Sequence, residues 1–174
     1  MSTKSTILLI FPGSFGVKDI NIPLSLLYIA KPLLMSGYKV QLVDSRIEDY
    51  KLMNYNNILY AGISSMSGNQ VYHGLEIAKF IRKKNPEAKL IWGGPHPSSI
   101  PGNVISSPYA DIVVRGEGEE TLLKLSERLE RKKSYDDIPG LTFKRNGEIF
   151  ATPNRNPIDL NQIGNLPYHL LKMD

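Results

Sequence analysis

The sequence of 174 residues contains no cysteine. Disulfides, thiolate catalysis, Cys-ligated zinc and a Cys-held iron–sulfur cluster are therefore excluded within these residues. The lack fits a reducing cytosol, and a cytoplasmic location is the expectation. Long apolar runs are also missing. None nears the ~18 residues that cross a bilayer, and Met1–Thr6 is too short and polar for a signal peptide, so no membrane partner is expected. Charge of one sign is scarce: 21 basic residues against 17 acidic ones leave +4. The two basic runs, Arg82-Lys83-Lys84 and Arg131-Lys132-Lys133, each close a helix-like segment, where cations suit the negative helix end. No aromatic residues interleave with them, which argues against nucleic acid as a partner. Histidine occurs only at 73, 96 and 169, too dispersed for a metal site. No metal ligand and no catalytic residue is assigned.

What the chain does have is a rhythm. Apolar residues make up 41%, enough for one real core. Ile7–Phe11 is a short apolar run ended by Pro12-Gly13, a buried strand feeding a loop. Pro23–Met35 changes to helical spacing, with Gly37 as its stop signal and Pro32 predicting a kink or break. Strands are predicted at Val40–Val43, Ile58–Ile63, Leu90–Trp92 and Ile112–Val114, and helices at about Gln70–Lys84 and Glu120–Arg131. Five strands alternating with helices predict an α/β, Rossmann-like or flavodoxin-like fold: a doubly wound, parallel, five-stranded sheet. Beyond it, Leu141–Lys144 and Glu148–Thr152 flank Asn146-Gly147, a hairpin turn signal. The predicted division is a Rossmann-like domain over 1–135, a β-hairpin extension over 136–152, and a linker over 153–174 that packs on something, a further domain being one candidate.

In an open parallel sheet, ligands bind at the carboxyl ends of the strands. Those ends carry Pro12-Gly13-Ser14-Phe15-Gly16, Asp44-Ser45, Ser64-Ser65-Met66-Ser67-Gly68, Gly93-Gly94-Pro95-His96 and Gly116-Glu117-Gly118-Glu119. Four of the five are rich in Gly or Ser, which lets backbone approach a bulky ligand and offers hydroxyl and N–H donors. No nucleotide fingerprint is intact. No GxxxxGK[ST] occurs, the glycines of Pro12–Gly16 are spaced wrongly, and Thr121 stands where a third glycine would follow Gly116-x-Gly118. Asp44 ends the second strand where dinucleotide folds keep a ribose-binding acid, but it lacks that glycine context.

These residues resemble a known family. Cobalamin-binding Rossmann-like domains carry a DxHxxG loop after the first strand, then SxL, then a Gly-Gly pair one βα unit later. Ser64-Ser65-Met66 is similar to the SxL element with Met in place of Leu, and after the 26 residues 67–92 comes Gly93-Gly94. The first element departs: Asp19-Ile20-Asn21 has Asn at the histidine position, and no histidine precedes His73. That departure, with the run Trp92-Gly93-Gly94-Pro95-His96-Pro97 and the later Ala110–Thr121 segment, resembles the N-terminal domain of cobalamin-dependent radical-SAM proteins. The anaerobic magnesium-protoporphyrin ester cyclase type is one candidate subgroup.

The resemblance implies cobalamin as cofactor, with its nucleotide tail inserted at the sheet edge and no protein histidine below the cobalt. It implies contacts from Pro12, Gly13, Ser64, Ser65, Met66, Gly93, Gly94, Pro95, His96, Gly116, Glu117 and Gly118. It also implies S-adenosylmethionine and a [4Fe-4S] cluster in a C-terminal radical-SAM domain beyond Asp174, which would be this domain's partner. By itself the fragment is expected to be catalytically silent, while the whole protein would be a methyltransferase or cyclase. Two other readings stay open at this point: a degenerate domain that docks or gates without cofactor, and a nucleotide- or flavin-binding enzyme. Glu117, Glu119 and Glu120 either stabilise the following helix N-terminus or touch the cofactor or the catalytic domain. Asp111 is expected at a strand entry, and Trp92 in the core.

Overall fold

A computed structural model describes residues 4–13, 21–157 and 164–172. Its strands are β1 (Thr6–Phe11), β2 (Lys39–Asp44), β3 (Ile58–Ser64), β4 (Lys89–Gly93), β5 (Ile112–Val114), β6 (Leu141–Arg145) and β7 (Glu148–Ala151). The helices are α1 (Leu24–Met35), α2 (Asn69–Lys84), α3 (Pro95–Ser99), α4 (Pro101–Ser106) and α5 (Glu119–Glu130). The strands form one sheet in the order β2-β1-β3-β4-β5-β6-β7. β1 to β5 pair in parallel, in the doubly wound order whose switch point falls between β1 and β3.

The sheet has seven strands, where a five-stranded sheet with a C-terminal β-hairpin extension was predicted. β5 pairs with β6 antiparallel, so the hairpin extends the sheet. Phe143, buried and opposite Ile112, gives β6 an apolar face to add to the core, and that face decides where the hairpin docks. The hairpin turn has positive φ at both Asn146 and Gly147, as an Asn-Gly turn of this kind requires.

Alternation along the parallel strands divides the interior in two. Ile7, Leu9, Tyr60, Ile91, Ile112 and Val114 face α1 and α5, where Leu26, Leu27, Ala30, Leu33, Leu122 and Leu125 meet them. Leu8, Ile10, Ala61, Ile63, Leu90, Trp92 and Val113 face the opposite layer, with Ile77, Ala78 and Ile81 of α2 and Ile105 of α4. Both faces are covered, which is why these strands read as continuous apolar runs.

Helix α1 passes through Pro32 without a break. Pro32 falls in the last turn, so its missing N–H removes a single helical bond. The helix then stops as Gly37 predicts. Gly37 N–H donates to the Leu34 carbonyl at 2.9 Å and Tyr38 N–H to the Leu33 carbonyl at 3.1 Å, with Gly37 at φ +86°. α3 and α4 were not predicted; each has proline in its first turn, a start signal that two nearby prolines made easy to read as loop. Asp111 sits at the entry to β5 as expected, and it ties neighbouring elements together. Its carboxylate accepts from Leu90 N–H and from Arg82, both at 2.7 Å.

The described part of the tail lies against this domain's own surface. Arg115 donates to the carbonyls of Leu141 and Thr152 and to the Asn154 side chain. Leu166, Leu170 and Leu171 pack on the α1/α5 layer, and Lys172 pairs with Glu48 at 2.6 Å.

Candidate functional site

The residues facing α1 and α5 shrink toward the carboxyl ends of the central strands. Gly62 and Ser64 of β3 and Gly93 of β4 follow on one face, and Ser64 sits beside Gly93 in register. Leu9 reaches over Gly62, while the space above Gly93 stays open. The result is a slot of about 430 Å³, part of it open to solvent. Its walls are Leu9, Leu26, Ile29, Ile91, Val114 and Leu122, and the turns at Gly94, Gly116 and Gly118 surround it.

The two adjacent glycines do different work. A Cβ at Gly93 would meet nothing nearer than the Val114 carbonyl oxygen at 3.8 Å, so glycine there leaves room. A Cβ at Gly94 would lie 2.7 Å from the Ser65 carbonyl oxygen, and its φ of +97° belongs to the left-handed region. Gly94 thus lets the β4–α3 turn close tightly over the end of β3. Ser65, fully buried, anchors that turn: its N–H donates to the Gly93 carbonyl at 2.9 Å and its carbonyl accepts from His96 N–H at 3.3 Å. The Ser65 hydroxyl is buried without a partner among the described residues.

Among the described residues of the lining, only Ser64 and Trp92 carry polar side-chain atoms. The Trp92 indole belongs to the other face; it packs over Gly74, and its N–H donates to the Tyr109 carbonyl at 2.8 Å. Among the described residues the Ser64 hydroxyl has no hydrogen-bond partner. An apolar slot with one unengaged hydroxyl suits a flat, mostly apolar ring bearing a single acceptor.

Beside the slot, over the ends of β1 and β3, lies a wider groove of about 950 Å³, lined by Phe11, Pro12, Gly13, Asn21, Arg46, Met66, Gln70 and His73, among others. Its floor is fixed by the end of β2. The Ser45 hydroxyl bonds both the N–H and the carbonyl of Gly13, at 2.8 and 3.0 Å. The Asp44 carboxylate accepts from the Arg46 N–H and guanidinium, the closest contact being 2.6 Å. That guanidinium stacks 4.4 Å from the Phe11 ring centre and donates to the Asn21 carbonyl. Asp44 therefore holds an arginine, which accounts for its position without a ribose.

The sequence-derived residues divide accordingly. Ser64, Gly93, Gly94, Gly116 and Gly118 surround the slot, and Pro12, Gly13 and Met66 line the groove. Ser65 supports the β4–α3 turn from beneath, while Pro95 and His96 begin α3 and are outside both linings. Glu117 is exposed, and its carbonyl accepts from Arg155. Ser14, Phe15, Gly16, Asp19 and Ile20 lie outside the described residues. Glu119 and Glu120 occupy the first turn of α5, where negative charge complements the helix end. Burial pushes the Glu119 carboxyl above its ordinary range, and one of its oxygens is buried without a partner among the described residues. Among the described residues no group of His, Asp and Glu is placed to hold a metal ion, and no helix is long and apolar enough to cross a membrane.

Sequence reading missed Gly62 and the apolar walls. Gly62 had a signal of its own, a glycine inside an otherwise apolar strand, which marks close approach to that strand.

The B12 binding domain family matches residues 16–126. An uncharacterized methyltransferase of Pyrococcus horikoshii is 28% identical over all of this chain and 40% of its own length. The anaerobic magnesium-protoporphyrin IX monomethyl ester cyclase of Synechocystis sp. is 30% identical over 87% of this chain and 33% of its own. This chain thus spans well under half the length of either. The radical S-adenosylmethionine methyltransferase TsrM from Kitasatospora setae, solved with cobalamin and a [4Fe-4S] cluster bound, has a TM-score of 0.76 at 20% identity, over 90% of this chain and 30% of its own. At that identity the likeness is one of fold. The match over 16–126, on a sheet whose switch point opens into a slot and a groove, shows that the chain belongs to the B12-binding domain family.

Proposed function

We propose that this chain is the cobalamin-holding module of a radical-SAM enzyme, with the corrin over the groove and the nucleotide tail in the slot. The observation that carries the reading is the pairing of the two spaces at the switch point: an apolar slot with a single unengaged hydroxyl among the described residues, opening beside a wider groove with mixed polar and apolar walls. In this arrangement Ser64 Oγ donates to a ring nitrogen of the tail's base, while Gly93 leaves the base its space. Gly94 keeps the β4–α3 turn clear of the ring, and Gly116 and Gly118 border the slot mouth. Pro12, Gly13 and Met66 form the seat beneath the corrin, held by Ser45 and by the Asp44–Arg46 pair. Bound cobalamin supplies a cobalt centre able to carry a methyl group or exchange an electron.

No protein histidine ligates the cobalt in this reading, because Asn21 stands at the loop position that would carry one, and a neutral amide is a poor cobalt ligand. His73 lines the groove from α2 and is read as part of its wall. S-adenosylmethionine and a [4Fe-4S] cluster belong to a further domain of the whole protein, toward which residues 153–174 lead. That domain would perform a methylation or cyclisation, and this chain alone would be silent. The relatives' names and lengths support this part.

Hydroxocobalamin mixed with the purified chain is expected to change its corrin spectrum and stay bound through desalting. No retained corrin at high protein concentration overturns the reading. Electron paramagnetic resonance of the bound cob(II)alamin is expected to lack nitrogen coupling from a lower ligand; such coupling, abolished by His73→Ala, would overturn the histidine-free assignment.

A further inference from the structure

The lining of the slot says more than that a base fits. Among the described residues, Ser64 carries the only side-chain polar group there that is not already engaged, because the Trp92 N–H is committed to the Tyr109 carbonyl. Four backbone groups around the slot are also engaged. Gly116 N–H donates to the Ser98 hydroxyl, the Gly93 carbonyl accepts from Ser65, the Gly94 carbonyl from Ser98 and the Gly118 carbonyl from Leu122. Among the described residues, the other side chains facing the slot are aliphatic.

We infer that the slot selects among cobamides by their lower base, taking benzimidazoles and disfavouring purines. This rests on the cobalamin reading above. A dimethylbenzimidazole presents one free ring nitrogen, which the Ser64 hydroxyl satisfies, and two methyl groups that suit walls of Leu9, Leu26, Ile29, Ile91, Val114 and Leu122. An adenine of the same outline presents further ring nitrogens and an exocyclic amine. One of these can use Ser64; the others are buried against aliphatic side chains with no partner, and each loses its bond to water. Selection therefore comes chiefly from what the slot fails to offer a polar base.

The test uses three cobamides with the same corrin and different lower bases: dimethylbenzimidazole, adenine and p-cresol. Cobinamide, which has no nucleotide, serves as the fourth ligand. Each affinity for the chain is corrected for that ligand's own base-on/base-off equilibrium in solution, read from its corrin spectrum. The adenine cobamide is expected to bind about 10- to 100-fold more weakly than cobalamin. Ser64→Ala is expected to weaken cobalamin by about 3- to 10-fold. The p-cresol cobamide, which has no nitrogen acceptor, should change by less than about 2-fold in that variant. A thermal melt of Ser64→Ala matching the parent establishes that the loss is local. Equal corrected affinities for the adenine and benzimidazole forms, both tighter than cobinamide, overturn the selectivity alone. Equal binding of all four ligands overturns the slot as the tail site, and retention of none overturns the cobalamin reading itself.

Discussion

The two faces of one sheet are built from the same strands and end up as opposites. Toward α2 and α4, large side chains continue to the carboxyl ends of the strands, and Trp92 closes that layer by packing over Gly74. Toward α1 and α5, the positions between those residues are Gly62, Ser64 and Gly93, and the layer ends in a slot. Because successive strand residues point to opposite faces, Ile63 and Trp92 fill one layer while their immediate neighbours hollow the other. A cavity on one face is affordable because the other is packed solid.

Substitutions can break or sharpen that contrast. The largest effect is expected on the packed face. Trp92→Ala removes a fully buried ring and its hydrogen bond, and should cost about 3–5 kcal/mol of stability, measured by urea unfolding. One residue away, on the hollow face, Gly93→Leu has room for its Cβ and should change stability by less than about 1 kcal/mol. It should nevertheless weaken cobalamin binding by at least about 100-fold, because the new side chain occupies the slot. Binding unchanged in that variant would mean the tail lies elsewhere. Gly94→Ala reverses the pattern: its positive φ and the 2.7 Å approach to the Ser65 carbonyl oxygen should cost about 1–3 kcal/mol in stability.

The smallest effect is expected at Glu119. Burial holds its carboxyl above the ordinary range. The folded state therefore binds that proton more tightly than the unfolded one, and stability falls as pH rises between the two values. Glu119→Gln should then be more stable than the parent at neutral pH. The difference should close as pH falls into and below the ordinary carboxylate range, measured as unfolding free energy against pH.

Much of this was legible in the sequence, for reasons that differ by element. The parallel strands are short apolar runs bounded by turn residues, and each was predicted to within a residue or so at its ends. Asn146-Gly147 announced its turn through local backbone preference alone. The Ser64 to Gly93-Gly94 spacing carried the resemblance, and the family match over 16–126 agrees with it. Asp44 was ambiguous because its partner, Arg46, is a neighbour in sequence whose guanidinium reaches back only in the folded loop. His96 stands after Gly-Gly-Pro at the start of α3, where its N–H donates to the Ser65 carbonyl.

By itself the sequence determined the alternation of strands and helices, the hairpin turn, the stop of α1 and the small residues at the ligand edge. These depend on interactions within a few residues: side-chain period, the conformational freedom of glycine, and the fixed φ of proline. Only the tertiary structure decided that β6 and β7 extend the sheet, that the described tail lies against the α1/α5 layer, and that Leu9, Leu26, Ile29, Val114 and Leu122 meet around Gly62 and Gly93. Those residues are far apart in the chain. Which of them enclose the slot depends on which sheet face each helix covers, and that is settled by packing the whole core at once.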